Sequence, residues 1–74
     1  MQKTGVNHRY GLDDIVKCLD RELRLRRRVY PGRVMTKRMT QKAADREIAI
    51  IQQLLLDHLA MQAREQAEFD LFLK

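Results

Sequence analysis

Beyond Gly11 the chain meets one interruption only. Its single proline and its last glycine stand side by side, Pro31–Gly32, and neither residue type occurs again before Lys74. A sheet needs turns every few residues, and turns draw on Gly and Pro. A chain rich in charged and straight-chain residues with one such break is expected to form two helices joined by one turn. The fold class predicted is all-α, an antiparallel helical hairpin with a long second helix.

Leu12, Ile15, Val16, Leu19 and Leu23 recur at helical spacing and predict a first helix over about Leu12–Val29. Asp13 and Asp14 would occupy its first turn, where the positive end of the helix dipole favours them. Tyr30 precedes Pro31 and is steered away from helical dihedrals, so the helix is expected to stop there. Residues 30–39 then form the turn, with Pro31 opening at most a single helical turn through Met35. Thr40 suits an N-cap, and a second helix is expected from about Gln41 to Lys74. Its stripe is Ala44, Ile48, Ile51, Leu55 and Leu59, widened by Ile50, Leu54, Leu56 and Met61. Residues 1–10, with Asn7 as a breaker and Lys3, His8 and Arg9 as charges, are expected to be a loose arm. A single hairpin domain then covers 11–74.

The two helices differ in reach. About 18 residues span about 27 Å and about 34 span about 51 Å, so the second helix overhangs the first. The overhang carries Phe69, Leu71, Phe72 and Leu73, which must find a partner, fold back or fray. A chain of 74 residues buries only about 60% of its unfolded surface. A homodimer forming a four-helix assembly is the expected remedy, with Ile48, Ile51, Leu54, Leu55, Leu59, Phe69 and Phe72 at the interface. Cys18 is the only cysteine, which rules out an internal disulfide or a cysteine metal cluster and fits a reducing, cytoplasmic setting. No apolar run approaches the roughly 20 residues that cross a bilayer, so no membrane is expected. Met1–Tyr10 lacks the apolar core of a secretion signal.

The charge is uneven. Of the 15 Lys and Arg, ten fall between Arg21 and Arg46 against two acids, Glu22 and Asp45, a local charge of +8. From Asp57 onward four acids stand against Arg64 and Lys74, giving −2. A hairpin gathers Arg24, Arg26, Arg27 and Arg28 with Arg33, Lys37, Arg38, Lys42 and Arg46 at one end, beside Tyr30. Guanidinium forks match phosphates and carboxylates, so the expected partner is nucleic acid or an acidic host protein surface. Gln41, Lys42, Asp45 and Arg46 open the second helix and are the only candidates for reading a groove.

Nothing in the sequence points to catalysis. It has no Gly-rich phosphate loop, no His-Glu-x-x-His and no nucleophile elbow. His8 and His58 lie on different elements. Asp45 and Glu47 are two apart and face different ways on a helix. Cys18 reads as a small buried hydrophobe, and Met35, Met39 and Met61 as packing. No enzyme, cofactor or metal is expected.

Val29-Tyr30-Pro31, Val34, Arg38-Met39-Thr40, Ala44 and Glu47-Ile48 resemble a motif of small bacteriophage- and prophage-encoded proteins. There an arginine-rich helix enters a Tyr-Pro turn, followed by an Arg-Met-Thr cap and a second helix. The resemblance covers roughly residues 21–56, and the family has no settled biochemical role. This chain departs from the pattern at Arg33, where tryptophan is common, and at Lys37, where glycine is common. The resemblance implies a phage accessory protein acting inside a bacterial cell. It leaves two functions open: nucleic-acid binding, or inhibition of a host complex in the manner of anti-CRISPR and other anti-defence proteins.

Overall fold

The computed structural model describes residues 10–73, and the arm expected over 1–10 lies outside them except for Tyr10, which is exposed. Two helices follow, α1 over Leu12–Met35 and α2 over Gln41–Leu73, with no strand among the described residues. They pack as an antiparallel hairpin. Arg26 meets Glu47 near the turn, and Asp13 meets Gln62 near the start of α1.

The first helix does not stop at Tyr30, as the sequence predicts. It continues through Pro31 and Gly32 to Met35, so the turn shrinks to 36–40. Proline inside a helix removes one backbone donor and crowds the preceding turn, at about 3 kcal/mol. Packing overrides that local cost. Tyr30 is buried, and Val34 one turn later is half-buried on the same side. Both need the helix to continue. Gly32 does not act as a breaker either: its backbone has no positive φ, and a Cβ added there would meet nothing within 4 Å.

The turn closes on backbone geometry. Lys37 adopts a left-handed conformation, φ 63°. Its N–H donates to the Val34 carbonyl at 3.1 Å, and the Arg38 N–H donates to the Arg33 carbonyl at 2.8 Å. This pair of bonds is the Schellman helix ending, which normally has glycine at the left-handed position. Thr40 caps α2 as expected, its Oγ1 accepting from the Ala43 N–H at 3.0 Å.

The seam between the helices is thin. Leu23, Ile51 and Leu55 form its buried centre, with Val16, Leu19 and Ile48 packed against it. Tyr30 and Ala44 complete the buried set toward the turn. Most of the expected stripes therefore form the seam, but Leu12 and Ile15 are half-buried outside its centre, Leu59 stays exposed, and so do Ile50, Leu54, Leu56 and Met61. The overhang is present as continuous helix: Phe69 is 55% and Phe72 86% exposed.

Lys37→Gly removes a side chain from a backbone state that costs an L-residue about 1–2 kcal/mol. In a domain this size a gain of about 1 kcal/mol raises Tm by roughly 4–8 °C. Thr40→Ala should lower Tm by a similar amount through loss of the cap. Thermal melts followed at 222 nm check both, and an unchanged melting point for Lys37→Gly would contradict the strain assigned to Lys37. Leu55→Ala should cost about 2–5 kcal/mol and leave the chain largely unfolded at 37 °C.

Candidate functional site at the basic tip of the hairpin

The cations of the tip divide into two groups. Arg26 belongs to the seam. Its Nε donates to Glu22 at 2.8 Å, and its Nη1 donates to the Glu47 side chain and main-chain carbonyl, both at 3.2 Å. The hydrogen bond it donates to Glu22 raises the Arg26 pKa above its ordinary value, against the opposing effect of burial. The guanidinium also lies 5.9 Å from the centre of the Tyr30 ring. Arg24, one turn from Asp20, pairs with it at 2.6 Å on an exposed surface.

The others point outward. Arg27, Arg28, Lys37, Arg38, Lys42 and Arg46 are all exposed and make no ion pair with a described residue. Arg33 is exposed too, with its guanidinium 5.5 Å from the Tyr30 ring centre. Because α1 runs on to Met35, Arg26 and Arg33 stand four residues before and three after Tyr30, on one side of one helix. A helix that broke at Tyr30 could not place both guanidiniums at this ring. The turn itself shapes a shallow depression lined by Val34, Met39, Thr40, Gln41, Lys37 and Arg38.

Tyr30 is therefore not the exposed turn residue that the sequence suggests. It is 8% exposed, covered by helix packing and two arginines, and offers no free face for stacking on a base. The groove-reading candidates also change. Gln41 donates to Asp45 at 2.8 Å, which leaves Lys42 and Arg46 as the unengaged pair on that turn. Cys18 is exposed rather than buried, and Met35 is 83% exposed rather than packed. Of the residues expected at a dimer interface, Ile51 and Leu55 are buried in the hairpin's own seam and Ile48 packs beside them. Leu54, Leu59, Phe69 and Phe72 remain exposed. His58 donates from Nδ1 to the Leu54 carbonyl at 2.8 Å, one turn back. Among the described residues no group of His, Cys, Asp and Glu converges as metal ligands, and no helix is long and apolar enough to cross a membrane.

The Arg26 cluster was half legible. Glu22 and Arg26 stand at i and i+4, a local signal in plain sight, whereas Glu47 joins them only through the fold. No protein family, curated protein or solved structure matches the chain.

Arg26→Met removes a half-buried, charge-assisted set of hydrogen bonds and should destabilise by about 1–2 kcal/mol. Arg27→Gln and Arg38→Gln, on open surface, should stay within about 0.5 kcal/mol of the parent. Urea unfolding of the three variants separates the cation that builds the hairpin from those that decorate it.

Proposed function

We propose that this protein is a non-enzymatic binding module of the phage type, working as a dimer in the cytoplasm of a bacterial host, whose basic hairpin tip engages the phosphates of nucleic acid. One observation carries the reading. From Arg27 to Lys42 the chain holds six cations and no acid, and every one of the six is exposed. Elsewhere on α1 Lys17 is answered by Asp13 at 3.1 Å, Arg24 by Asp20 and Arg26 by Glu22 and Glu47, and Arg21 alone makes no ion pair with a described residue. A surface built only for solubility would mix the signs; an unanswered cluster at one end suits a polyanion.

The exposed cations surround the tip rather than lining a single helix face, and Tyr30 is withdrawn from contact. Both features favour phosphate contact over base reading, hence weak sequence preference. One observation supports the alternative, docking on an acidic host protein as an anti-defence inhibitor would. Arg33 is held against Tyr30, and a pre-positioned arginine is the kind of residue that anchors a protein interface.

On duplex DNA the logarithm of the affinity should fall linearly with the logarithm of salt, by about 0.9 per neutralised phosphate. Changing Arg27, Arg28 and Arg38 together to Gln should reduce that slope by up to about three and weaken all sequences alike. Fluorescence anisotropy across a salt series measures both. Absence of binding to duplex DNA, single strands and RNA at about 50 mM salt, with a host protein captured after nuclease treatment, would transfer the tip to the inhibitor reading.

A further inference from the structure

Of the six cations at the tip, one is held in place before anything binds. The Arg33 guanidinium lies 5.5 Å from the centre of the Tyr30 ring, within the range where an aromatic face attracts a cation. The ring is a firm support, because Tyr30 is buried at the turn end of the seam. Its other neighbour is fixed too. Arg26, 5.9 Å from the same ring centre, donates to Glu22 at 2.8 Å on its own helix and to Glu47 at 3.2 Å on the other. Two bare guanidiniums beside one ring would repel each other. Here Arg26 sets one positive charge against two carboxylates, so its cluster does not drive Arg33 off the ring.

Arg33 nevertheless keeps its chemistry free. It is exposed, and its guanidinium makes no hydrogen bond or ion pair with a described residue. Its N–H donors are therefore open to a ligand. Arg27, Arg28, Lys37, Arg38 and Lys42 are exposed as well, with no described ring beneath them. A long side chain loses rotamer freedom when it grips a ligand, which weakens affinity by a few-fold to about tenfold for each one immobilised. In Arg33 part of that ordering is already present in the folded hairpin. We infer that Arg33 is the anchor of the tip, gripping one phosphate with both prongs of its guanidinium, and that Tyr30 and Arg26 are the residues that position it. The other five cations follow the neighbouring phosphates loosely. The inference rests on the nucleic-acid reading above and names the residue on which that reading most depends.

Phosphate suits this anchor better than a lone carboxylate. A guanidinium fork fits either. A carboxylate on a protein would satisfy Arg33 and leave the five cations around it unanswered. A phosphate chain presents one negative charge after another and answers them in turn. The stack also decides what cannot stand in for Arg33. Lysine carries the charge, but it has no plane to lay on a ring and no fork to match two oxygens. Arg26 and Arg33 reach one ring only because α1 runs on through Pro31. The local cost of that proline thus has a counterpart in the ordered tip.

Exchange of arginine for lysine tests the inference, because it keeps the charge and removes the fork. The probe is a fluorescein-labelled DNA duplex at about 50 mM salt, followed by anisotropy. Arg33→Lys should weaken binding by about 3–10-fold with the salt slope unchanged. Arg27→Lys, Arg28→Lys and Arg38→Lys should each stay within about twofold of the parent, since the charge is kept. Tyr30→Phe keeps the ring and should keep the affinity. Tyr30→Leu removes the ring and should weaken the parent by the same factor as Arg33→Lys, yet change nothing further in the Arg33→Lys chain. A merely structural part for Tyr30 would weaken both chains alike. Similar losses at all four arginines, or a Tyr30→Leu loss that persists beside Arg33→Lys, overturns the inference and leaves the nucleic-acid reading standing. If Tyr30→Leu unfolds, the lysine series decides alone. A folded parent that binds no duplex, single strand or RNA overturns both.

Discussion

Two helices share a single seam, and the rest of this structure follows from how little one seam can bury. Each helix commits one stripe, and the stripes of Leu23, Ile51 and Leu55 with their half-buried neighbours exhaust it. No side chain in the hairpin is wholly withdrawn from water. A seam this narrow must be set in register by something more directional than apolar contact. Arg26 supplies it: one guanidinium holds Glu22 on its own helix and Glu47 on the other. Among the described residues this ion set uses up the one cation that bridges the helices and leaves the others to solvent. Structure and surface charge are thus divided residue by residue, and the division falls inside a run that reads as a uniform arginine cluster.

What was legible in the sequence was whatever depends on near neighbours. The stripes of α1 and α2 follow from helical spacing, and the Thr40 cap from a hydroxyl three residues ahead of its donor. Pro31 misled for the complementary reason. Its effect on Tyr30 is a local preference, and the burial of Tyr30 is a consequence of α2 lying alongside, which no window around Pro31 contains. The same error displaced Tyr30 from the core to the tip. Cys18 and Met35 were misplaced because a residue's usual burial says nothing of a hairpin with only one side to hide on. Lys37 is the instructive middle case. Lysine gives no hint of a left-handed turn, because that backbone state is one that glycine normally fills.

The overhang and the tip are linked through charge. α2 outlasts α1 by enough residues that Phe69, Leu71, Phe72 and Leu73 stay exposed among the described residues. The same segment carries Glu65, Glu68 and Asp70, opposite in sign to the tip. Apolar surface alone would favour association in any orientation, and so would specify none. The charge is segregated along the chain, with cations gathered at the tip and acids on the overhang.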